Sequence, residues 1–262
     1  MTRTATLSLA LLFLLLEPAT AQDEATAPAQ TQEAPTRDPQ ALSVLTQALQ
    51  VAGATTMQTV QSFTAAGTIT YHWAGKEVKG TVLIHGKGAE EFSLQASLSK
   101  ENRTLAVTRG HGAIQEIDGT TTDVQHFNAI NQAGATLPLV RILAALGNPS
   151  TSAWYEGLAD VEGRPAHLIR LVTKDDEVPD PEDRFKALRT LEVFVDASTG
   201  LVAKTQDTIH ADRDMSDQYS RELFFSDYRL ADGVLTPFAI RERFGGQLTW
   251  SLQLDSVTFS TI

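Results

Sequence analysis

Residues Phe63 to Leu98 read FTAAGTITYHWAGKEVKGTVLIHGKGAEEFSLQASL. Here the apolar period is two. Ile69, Tyr71 and Trp73 point one way, with Thr68, Thr70 and His72 opposite. Ala74-Gly75-Lys76 turns the chain into a strand holding Val78, Val82 and Ile84, and Gly86-Lys87-Gly88 turns it again into Phe92, Leu94, Ala96 and Leu98. Short alternating strands joined by tight polar turns make an antiparallel meander. The turns leave no room for crossover helices, so a parallel α/β sheet is excluded here.

The pattern continues outward on both sides. Leu105 with Val107, then Ile114 with Ile117, extend the meander. Strands return at Ala166–Thr173, Leu191–Val195, Leu201–Lys204, Glu222–Leu230, Leu235–Phe244 and Gln247–Thr261. In the last one, Leu248, Trp250, Leu252 and Leu254 share a face while Val257 and Phe259 fall on the other phase. That change of phase predicts a bulge near Asp255-Ser256. The count is about ten or eleven strands in one long antiparallel run.

Two helices interrupt this run. Asp38-Pro39 is an N-cap followed by a favourable first helical residue, and Leu42, Leu45 and Leu49 then share one face. A shorter helical piece is expected over Met57 to Gln61. The second main helix is LPLVRILAALG, Leu137 to Gly147, with Leu139, Ile142, Leu143 and Leu146 at helical spacing. It is apolar nearly all round, with Arg141 its one charge, so it should be buried on most sides. A sheet this long curls. The expected fold is therefore mainly β (α+β): a curved antiparallel sheet, or incomplete β-barrel, with helices covering its concave face.

The ends and composition set the compartment and remove several chemistries. Arg3, the apolar run Leu7 to Leu16 and Ala19-Thr20-Ala21 form a signal peptide, residues 1–21, with cleavage expected after Ala21. The run is too short to span a bilayer, which takes roughly 20 apolar residues. Residues 22–37 read as a disordered linker rich in Ala, Thr, Gln, Glu and Pro, and residues 38–262 as one domain. The product is expected to be periplasmic or secreted, and a monomer. With no cysteine, the chain cannot form a disulfide scaffold, a thiolate metal site or a cysteine nucleophile. A net charge of −11 argues against nucleic-acid binding.

Catalytic constellations are missing from the sequence. There is no Gly-x-Ser-x-Gly, His-Glu-x-x-His or phosphate-binding glycine loop. His72, His85, His111, His126, His167 and His210 are scattered without an i, i+4 pair. The acidic loop Lys174 to Arg184 carries Pro179 and Pro181 where a calcium loop needs glycine, and reads as solvated. No catalytic residue, metal or cofactor is assigned.

Two segments carry a family resemblance. One is LRTLEVFVDASTGLVAKTQ, Leu188 to Gln206. The other is FSDYRLADGVLTPFAIRERFGGQLTWSLQLDSVTFS, Phe225 to Ser260, with Asp227-Tyr228, Asp232-Gly233 and Pro237-Phe238 in order. With the leader and the two helices, this resembles the LolA/LolB-like superfamily of periplasmic lipoprotein carriers. The resemblance implies a non-enzymatic carrier or binder of lipid or lipoprotein acyl chains, held in an apolar cavity under a helical lid. A second reading is an envelope sensor or scaffold that uses the same fold to bind a membrane-protein partner. Lacking cysteine, the chain departs from the lipid-anchored LolB type. The shuttles also have a functional arginine on a cavity strand; the residues do not single out Arg103, Arg109 or Arg170 as its counterpart, so none is assigned. The lid residues are expected to be Leu139, Ile142, Leu143 and Leu146. Tyr71, Trp73, Phe92, Phe194, Phe238 and Trp250 are the candidates for cavity lining.

Overall fold

The computed structural model describes residues 34–53, 60–99, 102–116, 118–175, 177, 178, 180, 182–212 and 214–261. The expected leader, residues 22–33 of the expected linker, Ile117 and residues 57–59 of the short helical piece lie outside them. Thr36 and Arg37, the end of that linker, belong to the fold: Thr36 accepts from the Ala153 amide at 2.8 Å, and Arg37 makes a parallel bridge to Ala153.

The strands are β1 (Val60–Trp73), β2 (Lys76–Lys87), β3 (Glu91–Leu98), β4 (Asn102–Thr108), β5 (His111–Gln115), β6 (Thr121–Val124) and β7 (Thr151–Val161). They continue as β8 (Arg164–Thr173), β9 (Thr190–Asp196), β10 (Val202–Ala211), β11 (Asp214–Ala231), β12 (Val234–Phe244) and β13 (Gln247–Thr261). All 13 form one open sheet in the order β6-β5-β4-β3-β2-β1-β13-β12-β11-β10-β9-β8-β7. Each neighbouring pair is antiparallel. Two meanders, one from each half of the chain, therefore join where the first strand pairs with the last.

The count exceeds the sequence estimate by β6 and β7. Strand β6 is only four residues, Thr-Thr-Asp-Val, with one buried side chain. In β7 the alternation is broken by Gly157, where the pairing with β8 shifts register. The bulge expected near Asp255-Ser256 is present: Ala66 pairs with Ser256 and Gly67 with Leu254, leaving Asp255 as the extra residue. Here β1 and β13 approach so closely that a Cβ on Gly67 would lie 2.3 Å from the Gln253 oxygen, so only glycine fits.

Among the described residues three α-helices lie on the inner face: α1 (Pro39–Val51), α2 (His126–Gln132) and α3 (Pro138–Gly147). Asp38 caps α1 by accepting from the Gln40 amide at 2.8 Å. Ala41, Leu45, Ala48 and Leu49 of α1 join Ile142 of α3 and the inner residues Ile69, Ile84, Leu94, Ile169, Val193, Leu223, Ile240 and Leu252 in one apolar core. A smaller cluster, Val161, Ala166, Phe194, Ala203 and Phe224, covers part of the outer face.

The curl of the sheet follows from what α2 touches. This helix packs against β4 and β5 on one side and β10 on the other. Strands β5 and β10 are eight places apart in the sheet order, which is roughly 38 Å in a flat sheet at about 4.8 Å per strand. A seven-residue helix is only about 10 Å long at roughly 1.5 Å per residue. The sheet must bend around it, so the helices occupy its concave side.

Candidate ligand-binding site

A cavity of about 500 Å³ opens beside α2 and α3, between the β4–β5 turn and the segment linking β8 to β9. Its buried apolar wall comes from Phe127 of α2, Leu171 of β8, Leu188 and Leu191. Ile130, Ala144 and Ala145 line its outer part. The exposed apolar side of α3's last turns is thus a cavity wall. Only the first half of that helix, Pro138 to Ile142, is buried. The volume falls within the roughly 300–1,000 Å³ usual for small-molecule sites.

At the inner end the lining turns polar, with Asn131 and Arg141. Both belong to a buried cluster. Asp207 on β10 accepts from Arg221 on β11 through Nε at 2.9 Å and Nη2 at 2.6 Å, and from Arg141 Nη1 at 2.7 Å. Arg221 Nη2 also donates to the Asn131 backbone oxygen at 2.7 Å, and Arg141 Nη2 to the Asn131 amide oxygen at 3.2 Å. Burial pushes the Asp207 carboxyl up, but Arg221 and Arg141 outweigh it and hold it below the usual carboxylate range. Nearby, burial pushes the Glu242 carboxyl up, and Thr249 Oγ1 donates to it at 2.6 Å.

Asparagine side chains complete the attachment of α2. Asn131 Nδ2 donates to the oxygens of Leu188 at 3.1 Å and Thr208 at 3.0 Å. Asn128 donates to the His210 oxygen at 2.9 Å and accepts from its amide at 3.1 Å, replacing the partner strand that β10 lacks there. The two helices are thus held to the sheet by a compact polar latch as well as by apolar packing. Removing one partner of such a buried pair typically costs about 3–5 kcal/mol.

At the rim, His126 opens α2. Its Nε2 lies 2.5 Å from Asp175 Oδ2, and its ring sits on Gly110, where a Cβ would come within 2.7 Å of Nδ1. Arg109 pairs with Glu90 at 3.0 Å. Arg189 pairs with Asp180 at 3.1 Å and Asp183 at 2.6 Å. The acidic loop is therefore less solvated than its composition suggests: the Asp180 side chain is 2% exposed. Among the described residues no group of three His, Asp or Glu side chains could hold a metal ion, and no helix is long and apolar enough to cross a membrane.

None of the ten candidates named from the sequence lines this cavity. Leu139, Ile142, Phe92 and Phe238 are core residues, and Leu143, Leu146, Tyr71 and Trp250 are half-buried against that core. Beside Leu139 the space to Val234, Thr236, Pro237 and Phe259 is too narrow for a water molecule. Trp73 is 79% exposed, because β1 runs past the helical cover to its turn. Phe194 lies on the outer face under Lys204, whose Nζ is 4.1 Å from the ring centre, because alternation from the inward Val193 turns it away. Of the three unassigned arginines, only Arg109 lines the cavity; Arg103 lies over Tyr71 and Arg170 over Trp154.

The residues that the sequence reading missed are Asp207, Arg221, Asn128 and Asn131. Arg221 shares its phase with the inward Leu223 and Phe225, which was the available signal. Helix α2 had no apolar periodicity to announce it.

No protein-family model matches the sequence, and no curated protein matches it either. Solved structures match in fold. A DUF1329 family protein from Desulfovibrio piger is 11% identical, with 84% of this chain and 93% of that one covered at a TM-score of 0.51. A LolA superfamily protein from Nitrosomonas europaea is also 11% identical, with 85% and 94% covered at a TM-score of 0.51. At this identity the likeness concerns the fold.

Proposed function

We propose that this chain, which has a LolA-like fold, is a non-enzymatic carrier or binder of lipid or lipoprotein acyl chains, acting in the periplasm after loss of its leader. The observation that carries this reading is the cavity of about 500 Å³ beside α2 and α3, with its buried apolar wall. Helices α2 and α3 are held by the polar latch and by apolar packing, and the cavity beside them runs from buried apolar wall to solvent.

The energetics support it. Each methylene moved out of water is worth about 0.8 kcal/mol. A chain laid along Phe127, Leu171, Leu188 and Leu191 gains enough to bind. Further movement of α2 and α3 would uncover Leu139 and Ile142 and lengthen the groove. The test is uptake of a fluorescent fatty acid by the purified protein, with mass spectrometry of lipids that co-purify. Saturable uptake and a bound lipid are expected. No uptake and no lipid would overturn the proposal.

The second reading, a sensor or scaffold, is favoured by one feature. Trp73 and Leu248 are exposed near the ends of β1 and β13, which are neighbours in the sheet. It expects capture of an envelope protein that is lost on Trp73→Ala while fatty-acid uptake is unaffected.

A further inference from the structure

The latch is not balanced in charge. Arg141 and Arg221 bring two positive charges, and Asp207 one negative charge. Asp207 gives both oxygens to Arg221 and shares only Oδ2 with Arg141. The other partner of Arg141 is a neutral amide oxygen at 3.2 Å. Among the described residues, Arg221 Nη1 is buried without a partner. Glu242 is turned to Thr249, whose Oγ1 donates to it at 2.6 Å. The two guanidiniums thus share one carboxylate, and Arg141 is the charged latch member that faces the cavity.

A buried cation without its own counter-charge is costly, and the cost falls when an anion reaches it. The rim carboxylates face other basic side chains: Asp175 and Glu177 face His126, Glu90 faces Arg109, and Asp180 and Asp183 face Arg189. Beyond Asn131, the buried wall of the cavity is apolar, formed by Phe127, Leu171, Leu188 and Leu191. The site thus presents the Arg141 guanidinium beside a buried apolar wall.

We infer that the cavity takes a single-chain amphiphile with an anionic headgroup, the headgroup on Arg141 and the chain along Phe127, Leu171, Leu188 and Leu191. This rests on the acyl-binding reading above and adds the headgroup class to it.

The experiment is calorimetric titration of the purified protein with four probes: dodecanoate, dodecan-1-ol, dodecyltrimethylammonium and acetate. Dodecanoate should bind at least about tenfold more tightly than the alcohol, the gain of one hydrogen-bonded charge pair, and the cationic amphiphile more weakly than either. Arg141→Gln should remove the preference and bring dodecanoate to the level of the alcohol measured on the same variant. Equal affinity for dodecanoate and the alcohol overturns the headgroup assignment and leaves acyl binding standing. Acetate binding as tightly as dodecanoate also overturns it, since the site would then be for a free anion. If no chain-bearing probe binds, the acyl reading itself falls. Because the four probes are compared on the unaltered protein, the outcome does not depend on whether Arg141→Gln folds.

Discussion

The Arg221 guanidinium donates to the backbone oxygen of Asn131 at 2.7 Å, so strand β11 holds the last turn of α2 directly. The same guanidinium grips Asp207 with two further bonds. Sheet and cover are therefore coupled through a few atoms.

Asp207→Asn tests that coupling. The change keeps the shape but leaves two buried arginines with no hydrogen-bonded carboxylate. A loss of about 3–5 kcal/mol in unfolding free energy is expected, read from urea unfolding. Amide exchange in α2 should rise more than in the central strands.

Filling the cavity separates binding from stability. Ala145 lines the cavity and is half-buried. Ala145→Phe should reduce fatty-acid uptake several-fold while the melting temperature changes little. Equal uptake by this variant would place the acyl site elsewhere.

Ile142 and Trp73 should respond in opposite ways. Ile142 is fully buried, and Ile142→Ala is expected to cost about 2–5 kcal/mol. Trp73 is 79% exposed, so Trp73→Ala should stay within about 0.5 kcal/mol of the parent. Chemical unfolding of both variants reads the contrast.

Acid stability should depend on Asp196. Burial pushes its carboxyl up, but the hydroxyls and amides of Ser198 and Thr199 bring it down to about 2, from 3.8. A carboxylate lowered on folding stabilises the protein above its unfolded value. That contribution is lost as pH falls from about 4 towards 2. Asp196→Asn should therefore lower stability at neutral pH and flatten the acid unfolding curve below pH 4, measured by circular dichroism.

Strand alternation was readable because one face of each strand is buried. The run from Phe63 to Leu98 shows it plainly, and the phase change at Asp255 located a real bulge. The same logic was available for Arg221, in step with Leu223 and Phe225, and for Arg141, the one charge on an apolar helix. Both are inside because Asp207 meets them there, and a partner 14 or 66 residues away leaves no local mark. Helix α2 escaped notice for a related reason: Asn128 and Asn131 hold it by hydrogen bonds to β10 and Leu188, which periodicity does not record. Trp73 and Phe194 carry the residue types of a lined cavity but stand beyond and behind it.

The seam between β1 and β13 has a consequence for synthesis. The register runs from Val60 with Thr261 to Tyr71 with Trp250, uniting the earliest strand with the final one in the middle of the sheet. Neither meander can be joined to the other until the last 15-residue strand has left the ribosome. Such non-local closure is slow. Until then the nascent polypeptide has no completed interior.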